Sequence, residues 1–324
     1  MRGKYKKQRD IMDIAFIVRK PTNLYLDKID EMIDWALIEK VLMRGYKKSE
    51  RGRPTRDLVV LFKSLLLQAW YNLSDPGLEE AINDRLSFQR FLGLSLSEQV
   101  PDETTFWRFR ERHQNGGTLK KAFDEINRQF KKKGLIIERG TLIDATIKQS
   151  SYRPDSVNRI TGELRESKDK NAAFVSKRGK TTYGYKMHIG TDFGSDLIKR
   201  VSVTPANEHD STQFERLMTG QEKSVFADKA YAKRERKRRF RDEGIYCGIL
   251  DKGYRNKPLG QNQIKRNKRK SRIRNRVERI FAVTVKDCHY LKTRYTNLAR
   301  NTAQVLFLCM AYNLKRGAVL WQPT

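Results

Sequence analysis

Asp144 is a carboxylate in the middle of Thr141–Ile147, a run whose β-branched content reads as a strand. Leu142 and Thr146 share its face; Ile143, Ala145 and Ile147 take the other. A charge in such a strand is costly unless it is paired or bound to a metal. Asp228 ends a second short strand, Lys223–Ala227, the position where parallel sheets collect ligands. Glu278 lies in a basic helical stretch beside Val277, Ile280 and Phe281, with Arg274 four residues earlier on the same face. Carboxylates drawn together from distant positions suit metal-assisted phosphoryl transfer. Mg²⁺ takes hard oxygen ligands and only a few carboxylates. Two such ions, about 3.5–4 Å apart, hold a phosphate, spread its charge and activate a nucleophile. Each acid also has an ordinary reading. Asp144 pairs with a lysine or arginine at a strand edge, Asp228 caps the next helix, and Glu278 makes an exposed ion pair with Arg274 of little energetic consequence.

The bulk composition points the same way. Lys and Arg outnumber Asp and Glu by 68 to 38 in 324 residues, for a formal charge of +30. A compact chain so charged repels itself unless a polyanion is near, and nucleic acid is the natural one. The length fits one large domain or two ordinary ones. No apolar run reaches the roughly 18 residues of a membrane span, so no membrane partner is expected. The basic N-terminus has no apolar signal core behind it. Cys247, Cys288 and Cys309 are far apart and in no zinc spacing. A reducing, cytoplasmic and nucleoid-associated location is expected.

These residues need elements to position them. Residues 1–27 read as a basic arm and 28–135 as an all-α DNA-binding domain. Its helices are expected at 28–43, 55–72, 75–85, 103–113 and 118–133, with Ser74 or Asp75 and Asp102 as caps. Residues 136–324 read as a mixed α/β domain. Its strands are expected at 141–147, 183–191, 197–204, 223–227 and 245–250, with a turn at Asp192–Ser195 where Gly194 supplies the unusual φ. Residues 150–182 read as a loop that is flexible or orders on binding. The last helical region, 272–318, breaks near Cys288–Tyr295. Between Lys252 and Arg276 eleven of 25 residues are basic, which makes this run the first candidate for the DNA backbone. Arg108, Arg110 and Arg112 are placed to read a groove from a helix-turn-helix-like unit at 75–113; an incidental basic face of a bundle helix is the alternative. Lys229 and Tyr231 stand where a phosphate or flipped base could be touched, with a surface role equally open. His188 and His209 read as hydrogen-bonded residues ahead of catalytic ones. Trp35, Trp70 and Trp107 read as core.

Taken in order, these pieces resemble the bacterial DDE transposases of the insertion sequence five family. The resemblance rests on Leu142-Ile143-Asp144-Ala145-Thr146, Tyr183 through Gly190, Ala206-Asn207-Glu208-His209-Asp210, Ala227-Asp228-Lys229-Ala230-Tyr231, Val277-Glu278-Arg279-Ile280-Phe281 and Asn301-Thr302-Ala303-Gln304. Gly52-Arg53-Pro54, Trp70 through Asp75 and Pro101 through Thr105 extend it into the helical part. It runs from about residue 25 to 318. It implies a ribonuclease H-like catalytic domain in which the first Asp sits on the first strand, the second ends the neighbouring fourth strand, and the Glu comes from a later helix. Asp144, Asp228 and Glu278 take those places as catalytic residues and metal ligands, for Mg²⁺ with Mn²⁺ as a substitute. The family pattern around the Glu is Tyr, Arg, Glu, Lys. Here Arg274 and Glu278 fit, Ser271 stands where Tyr is expected, Val285 stands where Lys is expected, and Lys286 is one place late. One place on a helix is about a 100° turn.

The resemblance implies an enzyme that binds terminal inverted repeats, cuts the DNA and joins its 3′-OH ends to target DNA. A homodimer or higher oligomer on DNA is implied, because two ends must be handled together. The alternatives are a ribonuclease H-like nuclease without strand transfer, and a non-enzymatic basic nucleic-acid-binding protein.

Overall fold

Most helices of the N-terminal half start at a side chain that takes up the free N–H groups of the first turn. Asp57 accepts from Val59 N and opens α3 (Leu58–Tyr71). Ser74 opens α4 (Asp75–Asp84), and Asp102 opens α6 (Glu103–Gln114) after the short α5 (Leu86–Leu92). The helix expected over 28–43 is two helices, α1 (Leu24–Met32) and α2 (Trp35–Leu42). Asp34 breaks the run, because its carboxylate caps Ala36 N and Leu37 N. The computed structural model describes residues 24–46, 56–158, 162–177, 179–254, 256–286, 288 and 290–322. Gly52-Arg53-Pro54 and nearly all of the basic arm lie outside the described residues.

After α7 (Thr118–Lys132) the chain enters a mixed sheet. Its strands are β1 (Thr141–Ser150), β4 (Ala173–Lys177), β5 (Lys180–Asp192), β6 (Ile198–Pro205), β7 (Ser224–Ala227), β8 (Tyr246–Cys247) and β9 (Lys292–Thr293); β2 (Ser156–Val157) and β3 (Leu164–Arg165) form a separate hairpin. β5 runs antiparallel to β1 on one side, and to β4 and then β6 on the other. β7 runs parallel to β1, and β8 parallel to β7. One face, with Ile143, Val225 and Ala227, is covered by α8 (Phe214–Leu217) and α9 (Arg234–Asp242) through Phe214, Leu217 and Phe240. The other face joins the main core. There Leu142, Met187, Ile189 and Phe226 lie in one cluster with Val277 and Ile280 of α11 (Arg276–Lys286) and with the N-terminal helices.

The last helix, α12 (Leu298–Leu320), links the two halves. It packs on α1, α3, α6, α7 and β6. Its Asn313 accepts from Ile198 N at 2.8 Å and donates to Ile198 O at 2.8 Å, closing the start of β6. Trp70 Nε1 donates to Ala311 O at 2.8 Å. Among the described residues no helix is long and apolar enough to cross a membrane.

Two local expectations are corrected. The segment 150–182 carries β2, β3 and β4 in its described part. It is held by Asp169, fully buried, which accepts from Ser150 Oγ, Tyr185 Oη and Asn297 N. That is a polar anchor that apolar periodicity does not reveal. In the β5–β6 turn the left-handed residue is Asp196, at φ 64°, in place of Gly194. Asp192 directs this turn by accepting from Gly194 N, Ser195 N and Ser195 Oγ. Gly194 is needed for space instead, since a Cβ there would fall 2.6 Å from Ile137 Cδ1.

Arg110 shows how the helical half handles its charge. It is 3% exposed and forms a two-pronged pair with Asp75, Nη1 to Oδ1 at 3.0 Å and Nη2 to Oδ2 at 2.6 Å. Breaking one partner of such a pair strands a buried charge and costs about 3–5 kcal/mol. Asp75→Asn is expected to destabilise the fold by roughly 3 kcal/mol, measured by urea unfolding at pH 7. The Asp75 carboxyl is buried, yet Arg110 holds it below the usual range. The difference between wild type and variant should therefore shrink as pH falls through the carboxylate range. A variant as stable as wild type would show that the pair is dispensable. His188 gives a second readout. It is fully buried on β5, with Nε2 3.0 Å from Thr204 Oγ1, and burial holds its imidazole down from 6.5 to about 4 despite the nearby Asp210. Between those values the unfolded chain binds a proton that the folded one refuses, so stability falls as pH drops through that window. His188→Asn should flatten the dependence of unfolding free energy on pH there; an unchanged slope would mean that His188 takes up its proton in the fold.

Candidate active site

The site is made where two strands part. β1 and β7 pair in parallel from Thr141↔Val225 to Ile143↔Ala227, and the pairing stops there. The next residues on the two strands are Asp144 and Asp228. Each follows by two an apolar residue of the main core, Leu142 and Phe226, so both carboxylates belong to the sheet face covered by α11. On that side of β1 no further pairing occurs until Gln149↔Lys292 on β9. Each aspartate also takes the N–H of its successor: Ala145 N donates to Asp144 Oδ1 at 2.8 Å, and Lys229 N to Asp228 Oδ1 at 2.7 Å. Asp144 keeps 19% of its side chain exposed. Burial pushes its carboxyl up to about 6; the Ala145 N–H and Arg274 pull it down, and the Asp228 charge adds to the rise.

Glu278 reaches this place through Arg274. Arg274 is the last residue of α10 (Gln261–Arg274), and Glu278 lies in the first turn of α11, with the chain turning at Asn275 between them. A cation at a helix C-terminus and an anion at an N-terminus are each favoured by the helix dipole. The Arg274 guanidinium donates through Nη1 to Asp144 Oδ2 at 2.7 Å and through Nη2 to Glu278 Oε1 at 2.8 Å. Glu278 is otherwise the open member of the group, 57% exposed. The ordinary readings of all three acids thus hold locally. Asp144 is ion-paired, Asp228 caps the turn Lys229–Tyr231, and Glu278 is paired with Arg274. Arg274 ties Asp144 to Glu278, and the β1–β7 pairing sets Asp228 beside Asp144.

Hard oxygen donors within one strand, just past the end of another and on a helix match what a divalent ion takes. The guanidinium between Asp144 and Glu278 marks a place that favours positive charge. Among the described residues, though, no group of three or more acids, histidines or cysteines closes tightly enough to hold a metal. Asp144 and Glu278 stand apart by the width of that guanidinium. The donor chemistry fits an ion; its cavity is filled by Arg274.

Other expectations divide by exposure. Lys229 is exposed beside Asp228, Lys286 is the exposed last residue of α11, and Arg108 and Arg112 are exposed on α6. The stem of Arg112 places its charge 4.3 Å from the centre of the Tyr46 ring. Arg110 is corrected: it is locked to Asp75 inside the bundle and cannot meet a phosphate. Tyr231 is corrected too. It is 1% exposed and packs on Phe214 in the core under β7, so it cannot touch a flipped base. The turn after Asp228 folds it inward while Lys229 stays out. Trp35 and Trp70 pack in the core, but Trp107 is 48% exposed on α6, beside the exposed Arg108. The basic run is only partly free. Lys270 is buried and donates to Ile249 O, whereas Lys265, Lys268, Arg269 and Arg272 are exposed on α10. His209 caps Ser211 N from a loop, and His188 lies inside the sheet.

Sequence reasoning missed Lys148. It lies on the Asp144 face of β1, buried, with Nζ donating to Tyr290 O at 2.8 Å, and burial lowers it to about 8. It fixes the far side of the opening by holding the chain before β9. The one signal was a lysine at a strand position alternating with Asp144.

Comparison with known proteins gives the family. Among solved structures, the chain matches a piggyBac transposase, determined by cryo-EM as a synaptic complex with hairpin DNA, at a TM-score of 0.42 and 10% identity over 91% of this chain and 72% of that one. Residues 16–112 match the family described as "Transposase domain (DUF772)". Residues 137–314, more than half of the chain and all three acids, match "Transposase DDE domain"; the protein therefore belongs to the DDE transposase family.

Proposed function

We propose that this protein is a transposase of the insertion sequence five type that binds the terminal inverted repeats of its element, cuts the DNA there and joins the freed 3′-OH ends to target DNA. One observation carries the reading. The β1–β7 pairing ends at Ile143↔Ala227, which sets Asp144 beside Asp228, and Arg274 ties Glu278 to the same spot. The sheet order β6-β5-β1-β7-β8, antiparallel over its first three strands and parallel after, supports a ribonuclease H-like catalytic part at 136–324. Residues 28–135 would then be the helical DNA-binding part.

Asp144, Asp228 and Glu278 would hold divalent ions, Mg²⁺ or Mn²⁺, which supply an activated oxygen nucleophile and neutralise charge at the phosphate. The protein's own groups do the rest. Lys229 beside Asp228 and Lys286 at the end of α11 offer point charges to a DNA backbone entering the opening. The exposed α10 residues Lys265, Lys268, Arg269 and Arg272 extend that surface. Arg108 and Arg112, with the exposed Trp107, give the helical part its own contact face. Two element ends must be processed together, so the working form is a dimer or higher oligomer on DNA.

The test is cleavage of a labelled element end with Mg²⁺ or Mn²⁺. Asp144→Asn and Glu278→Gln should each slow cutting by roughly 10²–10³-fold, the scale of removing a group that stabilises transition-state charge. Variants that cut like wild type would remove the site assignment. Products joined to target DNA separate a transposase from a nuclease that only hydrolyses. DNA affinity should also fall steeply with salt, the logarithmic slope growing by about 0.9 for each phosphate contacted. Replacing Lys265, Lys268 and Arg269 by alanine should flatten that slope; an unaltered slope would take α10 off the contact surface.

A further inference from the structure

Arg274 and a divalent ion compete for the same oxygens. The guanidinium holds Asp144 Oδ2 and Glu278 Oε1 at 2.7 and 2.8 Å, and only 14% of the arginine side chain is exposed. An ion held between those two acids would lie in the gap that the guanidinium now spans. An arginine cannot shed its charge to make way, and two cations a few ångströms apart repel strongly in a half-buried site. The guanidinium has to leave before the ion can settle.

Arg274 is also incompletely satisfied where it sits. Its Nε is buried and has no hydrogen-bond partner among the described residues. A guanidinium presents its donors as a fork suited to a phosphate. Arg274 terminates α10, whose residues Lys265, Lys268, Arg269 and Arg272 are exposed and basic. A DNA backbone laid along α10 would bring a phosphate to the end of that helix, where it could take over the guanidinium.

We propose that Arg274 is a counter-ion latch. Without DNA it neutralises Asp144 and Glu278 and keeps divalent ions out; a DNA phosphate draws it off the acids and opens them. This rests on the reading of the three acids as the metal-holding set. It adds that DNA binding and ion binding strengthen each other, by the same factor in each direction. Free protein would hold a nearly unloaded site, and the site would load only on DNA.

The experiment measures Mn²⁺ binding to the full chain by electron paramagnetic resonance, alone and with a short DNA duplex, the duplex's own Mn²⁺ uptake being subtracted. Wild type alone should bind weakly, and the duplex should tighten it by about fivefold or more, the usual lower range for coupled sites. Arg274→Gln, checked by circular dichroism to be folded, should bind Mn²⁺ tightly without DNA and gain little from the duplex. A folded Arg274→Gln that binds no better than wild type overturns the latch. Asp144→Asn, compared with wild type in the presence of the duplex, separates the two readings. If it loses Mn²⁺ while Arg274→Gln is unchanged, the metal site stands and the latch falls. If it binds Mn²⁺ as wild type does, the acids are not the metal set and both fall. Should Arg274→Gln fail to fold, the wild-type guanidinium ¹⁵N signals, assigned with Arg274→Lys, give the answer. A shift of the Arg274 signal on adding duplex and Mg²⁺ supports release, and no shift at saturation overturns it.

Discussion

Everything at the site follows from the divergence of β7 from β1 after Ile143↔Ala227. While the strands are paired, their side chains are apolar and locked in two cores. Where they part, backbone groups lose their partners, and free backbone N–H groups must be satisfied by something else. Two aspartates at that point answer the need through Ala145 N and Lys229 N. The same geometry that demands local acceptors places two carboxylates beside each other. Their proximity then works against ionisation, and this, added to burial, accounts for the raised Asp144 carboxyl.

A strongly cationic protein with an acidic centre has an electrostatic division of labour. Most of the +30 charge lies outside, where it meets solvent or polyanion. Inside, carboxylates are compensated one by one: Asp75 by Arg110, Asp251 by Lys237 and Arg266, and Asp144 with Glu278 by Arg274. In the first, helices hold both partners; in the second, Asp251 lies in a loop between cations on α9 and α10. The third bridges a strand and two helix ends that meet at Asn275, and its anions match the chemistry of a divalent ion.

The helical half and the sheet share one apolar core through α12. That helix is apolar nearly all round because it is buried on several sides, with Asn313 and Asn301 as polar pins. The exposed face of α6 is therefore connected through α12 to the sheet that carries the acids. A domain boundary drawn near residue 135 is crossed by the last helix of the chain.

The sequence by itself determined the candidate acids and most element centres. Capping aspartates and serines, alternating strands and the acids in ordered motifs are local features, legible within a few residues. So Asp144, Asp228 and Glu278, the strand over 141–147 and the helices near 58–71 and 103–114 were all in view, and the family match covers that stretch. What only tertiary structure decided was which charges face outward and which acids meet. Arg108 and Arg110 are two residues apart on one helix, yet one is exposed and the other is sealed by Asp75, 35 positions earlier. Tyr231 follows Lys229 by two and turns into the core through contacts with Phe214. Arg274 reads locally as the partner of Glu278, and its second bond, to Asp144 130 residues away, exists only because α10 ends over the gap between β1 and β7. Periodicity records the neighbours along an element; a pair that closes across the fold leaves no such trace.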